Sequence, residues 1–365
     1  MGKSGHKVVG VLTGGGDCPG LNAVIRAVAK TAMHDHGYEV VGFLDGYYGL
    51  TLDKFMRLHR DDVSGILTRG GTILGTSNSH DPFRWAVPRK GKLVLHDYSR
   101  KALATYRRHQ LAALVTIGGD GTMAVAGRLM NLGLNIVGVP KTIDNDLEGT
   151  DRTFGFDTAV QTATEAIDKL HDTAQSHHRV MVVEVMGRYA GWLALTAGVA
   201  GGGDVVLIPE IPYDVAAVCA YLKARSRHGK RFSIVVIAEG ARAAGGQMVV
   251  ARREEASPEP LRLGGVGQQL AAQIEKCCAL PTRVTVLGHL QRGGTPTAFD
   301  RVLCTRFGVK AMQLVVEGAF GQIAALRGDE IVSVPIKEVA GKVRTVPPNH
   351  SLVAAARSVG TCFGD

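Results

Sequence analysis

The sequence predicts an α/β protein of two lobes, with mostly parallel sheets covered by helices on both faces and an active site in the cleft between the lobes. Three observations lead there. Short, continuously apolar runs alternate with stretches of helical spacing, as in sheets buried on both faces. Several of these runs end in glycine or acidic residues, where open parallel sheets bind ligands. At 365 residues and 45% apolar content, the chain can build one large domain or two medium ones.

The elements follow in order. Val8–Thr13 reads as a strand and is followed by the turn Gly14-Gly15-Gly16-Asp17-Cys18-Pro19-Gly20. Residues 21–35 carry apolar side chains at 21, 24, 25, 28, 29 and 32, near helical spacing. Strand, glycine turn and helix together present N–H groups to an anion. The turn lacks a Walker lysine-hydroxyl ending and the GxGxxG spacing, so alone it is weak evidence. Strands are expected at 39–44, 111–117, 135–139, 180–185, 204–208, 232–238 and 283–287. Helices are expected at 101–110, 122–132, 157–174, 189–198, 215–227, 266–278 and 298–316. Residues 74–92 read as a loop or short hairpin, and 242–263, charged and glycine-rich, as a surface insertion. The lobes are expected at 7–155, with a later chain return at about 280–325, and at 156–280. A C-terminal extension is expected at 326–365.

Composition excludes several classes. Six cysteines are scattered without a C-x-x-C pair, so neither a zinc site nor a disulfide framework is expected. Cys277-Cys278 reads as two small residues on a helix. There is no run of 18 apolar residues and no signal-peptide pattern at the start. The expectation is no membrane and a reducing cytoplasm. The formal charge of +9 invites a nucleic-acid reading, but the cations are dispersed and aromatics make up only 5%. No nucleic acid is expected. A basic surface also suits a protein that handles several phosphates.

The most informative stretch is Pro140-Lys141-Thr142-Ile143-Asp144-Asn145-Asp146, which sets two carboxylates two residues apart after a buried strand. The strand 111–117 ends in Gly118-Gly119-Asp120-Gly121-Thr122. Two neighbouring strand ends thus carry acids, and one carries a glycine turn. This layout suits phosphoryl transfer to a hydroxyl. One carboxylate can help hold Mg²⁺, another can take the hydroxyl proton, and bare N–H groups can face phosphate oxygens.

These blocks resemble the bacterial-type 6-phosphofructokinases. The matching residues are 10–22, 118–122, 140–146, 183–188, 237–240 and 286–294, in family order over about residues 7–310. The resemblance implies a two-lobed α/β kinase that uses ATP, Mg²⁺ and fructose 6-phosphate and works as a homodimer or homotetramer. It implies Asp144 as the base for the sugar 1-hydroxyl, with Asp146 beside the transferring group. Thr142 and Gly187-Arg188 would contact the transferred phosphoryl and the sugar. It implies ATP binding by Gly15, Gly16, Gly119, Asp120, Gly121 and Thr122, with Asp120 helping to hold the metal. The sugar phosphate would meet Thr142, Ile143, Asp144, Met186, Gly187, Arg188, Glu239, His289, Leu290, Gln291 and Arg292. Arg179 and Arg283 would reach it from a neighbouring subunit. Taken singly, Asp146 suits a turn, His289 a hydrogen-bonded core and Arg292 a surface charge. Asp17 stays open between turn support and site support.

Two positions bear on the donor. Gly121 leaves room for the α-phosphate of ATP, where pyrophosphate users of the family usually carry Asp. Lys141 is the residue of pyrophosphate users, and the pairing of Lys with Gly resembles a mixed subgroup of ATP users. After Gly75-Thr76-Ser77, Asn78 stands where the ATP enzymes usually have Arg. That departure keeps open a pyrophosphate-dependent enzyme and a weakly catalytic regulatory homologue. Related GGDG turns also occur in NAD and lipid kinases.

Overall fold

The computed structural model describes residues 7–89, 92–253 and 261–365. In chain order the strands are β1 (Val8–Thr13), β2 (Glu39–Phe43), β3 (Phe55–Leu58), β4 (Trp85–Arg89), β5 (Lys92–His96), β6 (Leu111–Gly118), β7 (Ile136–Pro140), β8 (Val180–Val185), β9 (Val205–Leu207), β10 (Ser233–Ala238), β11 (Val250–Arg253), β12 (Leu261–Leu263), β13 (Thr282–Val286), β14 (Gln322–Arg327) and β15 (Glu330–Pro335). The α-helices are α1 (Leu21–Asp35), α2 (Tyr47–Leu52), α3 (Ser99–Arg108), α4 (Asp120–Met130), α5 (Phe156–His177), α6 (Trp192–Ala200), α7 (Val215–Arg227), α8 (Val266–Cys278), α9 (Ala298–Glu317), α10 (Ile336–Val339) and α11 (Ser351–Ser358).

A seven-stranded sheet runs in the order β15-β14-β7-β6-β1-β2-β3. Its interior pairs are parallel, and both edges are antiparallel. A second sheet, β13-β8-β10-β9, is parallel throughout. β1, β6, β7, β8 and β10 are buried almost end to end, which is why they read as continuous apolar runs. α5 carries the chain from one sheet to the other. Its first turn is bound to that of α9 by Asp300, which is fully buried. Asp300 accepts from the Gly155 and Thr158 amides at 3.0 and 2.9 Å and from the Thr158 hydroxyl at 2.5 Å.

Several expectations need correcting. β13 belongs to the smaller sheet, so the chain returns to the larger one through α9 and β14. Residues 326–365 are not an appended extension. β15 forms an edge of the large sheet, Val343 bridges Leu147, and Cys362 bridges Val205 beside β9. β15 pairs with β14 through an antiparallel backbone ladder, and its mixed exposure gives no apolar run to mark it in the sequence. β3, β14, β15 and two hairpins lie outside the strands expected from sequence, whereas β9 and β13, the edges of the smaller sheet, fall where strands were expected. One hairpin, β4–β5, begins within 74–92, where a loop or hairpin was expected, and runs past it to His96. The other, β11–β12, lies in the expected insertion, of which 254–260 fall outside the described residues. α6 begins at Trp192 instead of 189, after a turn at 187–191. A disulfide, unexpected from spacing, joins Cys219 on α7 to Cys277 on α8 with Cα atoms 6.4 Å apart. The side-by-side packing of these two helices brings together cysteines 58 residues apart.

Candidate active site

The turn after β1 is held by the segment that follows Thr72. Thr13 Oγ1 donates to the Gly75 carbonyl at 2.6 Å, Thr76 Oγ1 donates to Gly15 O at 2.7 Å, and the Gly15 amide donates to Ser77 O at 3.0 Å. Lys141 reaches across from β7 and donates to Gly16 O at 2.5 Å. Arg292 Nη1 donates to Asp17 O at 3.2 Å. A Cβ at Gly16 would lie 2.3 Å from Arg292 Nη1, so only glycine lets this cation approach the turn. Lys141 is 4% exposed. Burial holds its ammonium below its usual range, Arg292 adds to that, and Asp146 and Asp17 oppose it. Beneath them the Cys18 thiol is buried and pushed up to about 12 by desolvation, which leaves it inert.

β6 delivers the second part. Gly119 precedes α4 and Asp120 is its first residue, so the free N–H groups and positive dipole end of the helix face the same space. Thr122 is buried, with its hydroxyl under the turn: a Cβ at Gly14 would sit 2.7 Å from Thr122 Oγ1. Thr122 thus supports the glycines with its side chain. Tyr47 Oη holds the same turn by donating to Thr122 O at 2.8 Å. At Gly121 an added Cβ would meet nothing within 4 Å, so open space borders this residue.

The loop after β7 carries the acids. Asn145 adopts φ 53°, a left-handed conformation that Asn tolerates, and its Oδ1 accepts from the Thr153 amide at 3.0 Å. Thr153 Oγ1 donates to Thr142 O at 2.7 Å. The Asp144 amide donates to Thr142 Oγ1 at 3.1 Å. This pivot turns Asp144 and Asp146 toward one space while Ile143 packs into the core. Burial raises the Asp146 carboxyl to about 7; Asp144 and, more weakly, Asp120 add to this and the Thr142 hydroxyl opposes it. The three carboxylates therefore share one electrostatic neighbourhood.

The smaller sheet supplies the facing wall. Gly187, at the end of β8, has φ 132°, and its carbonyl accepts from the Gly240 amide at 3.1 Å. The turn projects Arg188, whose Nη2 donates to Leu261 O at 2.7 Å. Glu239 follows β10. Burial raises its carboxyl, opposed mainly by Arg188 and also by Arg292. Gln291 is fully buried; it accepts from the Met186 amide at 3.4 Å and donates to Gly288 O at 3.0 Å. Arg292 is thus the junction, close to Lys141 on one side and to Glu239 on the other.

The positions separate into groups. Gly15, Gly16, Gly119, Asp120, Gly121, Lys141, Thr142, Asp144, Asp146, Gly187, Arg188, Glu239 and Arg292 stand at strand ends around this space. Met186 and Gln291 line the turn beneath Arg188, and Ile143 can offer only backbone. His289 is exposed, and the Leu290 side chain is 70% exposed. Arg179 and Arg283 are not brought here. They lie at the other end of β8 and β13, about 20 Å from Gly187 over six strand residues. Arg283 pairs with Glu275 at 3.5 Å. Asn78 is exposed and accepts from Ser79 Oγ at 3.1 Å. Tyr47 and the side chain of Thr76 hold these turns without having been candidate site residues in the sequence. No local signal marks Tyr47, and a Thr in the GTS run is the only hint for Thr76.

Comparison with known proteins adds to this geometry. A family model described as Phosphofructokinase matches residues 8–315. An ATP-dependent 6-phosphofructokinase of Spirochaeta thermophila is 50% identical over 100% of both chains. A pyrophosphate–fructose 6-phosphate 1-phosphotransferase of Streptomyces coelicolor is 51% identical, covering 98% of this chain and 99% of the relative. The crystal structure of Pichia pastoris phosphofructokinase in the T-state aligns with a TM-score of 0.78 and 33% identity, over 92% of this chain and 35% of that one. The chain therefore spans about a third of that larger chain.

Proposed function

The chain belongs to the phosphofructokinase family, and from that premise we propose how its cleft works. It transfers the γ-phosphate of ATP to the 1-hydroxyl of fructose 6-phosphate, giving fructose 1,6-bisphosphate in glycolysis. The observation that supports this reading is convergence: Asp120, Asp144 and Asp146 from two neighbouring strand ends act on one another, Lys141 lies between Asp146 and Arg292, and Arg292 in turn acts on Glu239 after β10.

Kinases of this kind use a divalent metal. Asp120, Asp144 and Asp146 supply hard carboxylate oxygens in one neighbourhood, a donor set that fits Mg²⁺. Asp120 is the residue assigned to hold it, and the bound ion would neutralise charge on the donor phosphates. Asp144 takes the proton from the 1-hydroxyl. Thr142 positions the acceptor, while Asp146 keeps the metal side of the transferring group acidic. Arg188 stabilises negative charge as the phosphoryl moves. The turn at Gly15-Gly16 and the amides at Gly119, Asp120, Gly121 and Thr122 cradle ATP. Met186, Gly187 and Glu239 shape the sugar site. The backbone of Ile143 borders the sugar beside Thr142 and Asp144, while His289 and Arg292, with Leu290 and Gln291 between them, hold the 6-phosphate end, where a guanidinium fork suits phosphate oxygens. Residues 7–155 and the α9–β14 return would act as the donor lobe, and the smaller sheet as the sugar lobe.

The empty volume beside Gly121 favours the larger donor. The buried Lys141 and the Streptomyces coelicolor relative favour pyrophosphate. Paired assays of purified protein with Mg²⁺, fructose 6-phosphate and either donor separate the two. Turnover with ATP is expected, and product from pyrophosphate alone would reverse the assignment. Arg179 and Arg283 are proposed to complete a neighbour's sugar site in a homodimer or homotetramer. Among the described residues no helix is long and apolar enough to cross a membrane, and the cytoplasm is the proposed compartment.

A further inference from the structure

α7 and α8, packed side by side on the smaller sheet, carry three cysteines. Cys219 and Cys277 are bonded, and Cys278 Sγ lies 3.4 Å from Cys277 Sγ. All three sulfur atoms lie within 4.8 Å of one another. Beside them is a cavity of about 270 Å³ lined by Lys223, Ser226, Arg227, Cys278 and Leu280. The third thiol therefore stands between the disulfide and a pocket with two cations. We propose that this cluster is a thiol–disulfide exchange site that reacts with a small anionic thiol held in the Lys223–Arg227 pocket.

The chemistry balances. The Cys278 thiolate attacks Cys219 Sγ; the 219–278 bond forms, the 219–277 bond breaks, and Cys277 leaves as a thiolate that takes up the proton Cys278 gave up. The anionic thiolate in the pocket then attacks Cys278 Sγ, forming a mixed disulfide and releasing Cys219. A second molecule of the same thiol displaces Cys278. In sum, two small thiols become one small disulfide, and the protein disulfide becomes two thiols. Burial raises the Cys278 thiol and Lys223 opposes that only in part, so the first step is slow near neutral pH and speeds up as the pH rises and more thiolate forms. In a cytoplasmic protein a disulfide is more often redox-active than structural. Cys219 is 4% exposed whereas Cys277 and Cys278 are half-buried, so small thiols approach the bond from the α8 side, where Cys278 borders the pocket.

The test uses the full-length protein equilibrated with reduced and oxidised glutathione as the probe, then alkylation and peptide mass analysis. Cys219 and Cys277 are expected to change together and reversibly between protected and alkylated forms, with a glutathione adduct on Cys278. Cys278→Ser should remove that adduct and slow reduction by about tenfold or more. Lys223→Ala combined with Arg227→Ala should slow reduction by glutathione but not by neutral β-mercaptoethanol. The wild-type equilibrium needs no variant to be informative. Full alkylation of Cys219 and Cys277 at every glutathione ratio overturns the proposal. So does a tightly held Zn²⁺ that protects all three cysteines, or an equal loss of rate with both thiols in the charge variant.

Discussion

At the scale of single residues, the cleft depends on short polar interruptions at the ends of apolar strands. Singly, a carboxylate after a strand also suits a turn or a helix cap; it was the grouping of Asp120, Asp144 and Asp146 at two neighbouring strand ends that pointed from the sequence to a shared site. Asp144→Asn is expected to lower kcat by about 10²–10⁴ while the KM for fructose 6-phosphate changes little, because the amide keeps the shape and loses the base. Steady-state kinetics at saturating ATP check this. Gly121→Asp places a carboxylate in a space now bordered by no atom within 4 Å. It should raise the KM for ATP by at least about tenfold, since a carboxylate set against the donor phosphates is a like-charge contact, and leave any pyrophosphate reaction less affected. Other residues were not legible. Thr122 reads as a ligand residue but spends its side chain under Gly14. Tyr47 sits in a helix of six residues that no periodicity announces, yet it holds the same turn.

At the scale of elements, helices of ten residues or more and most buried strands follow their periodicity closely, whereas β3, β14 and β15 lie outside the expected strands. β3 and β15 are edge strands, with one side of the backbone unpaired and side chains part exposed, and β14 is buried but offers only the short apolar run IAAL. The joint between α5 and α9 shows what periodicity misses, since Asp300 looks like an ordinary first-turn acid. Burial raises its carboxyl to about 6, against hydrogen bonds from Thr158 and Gly155 that lower it. The folded state thus holds the proton more tightly than the unfolded chain. The stability from this preference is full below about pH 4 and is lost as pH rises through about 6. Asp300→Asn abolishes it. The variant's deficit, read by denaturant unfolding, should be larger at pH 4 than at pH 7 by about 2–3 kcal/mol.

At the scale of the molecule, the cleft is assembled from both sheets, and Arg179 and Arg283 face away from it. If they serve a second copy, each complete site mixes two chains. Asp144→Asn and Arg179→Ala proteins, each of low activity alone, should regain activity when unfolded together and refolded. The regain should approach about a quarter of the wild-type rate for random pairing in dimers, and separately refolded samples should not show it. Sequence spacing could not reveal how the chain crosses between sheets, because nothing local in β14 says that its neighbour is β7. That pairing sets the order of events during synthesis. β7 leaves the ribosome with one flank open, and its partner Gln322–Arg327 is still to be translated. At about 5–20 residues per second the gap is on the order of ten seconds or longer. For that interval the nascent polypeptide presents a bare, wholly apolar ribbon, the kind of surface to which chaperones bind and at which unfinished chains aggregate.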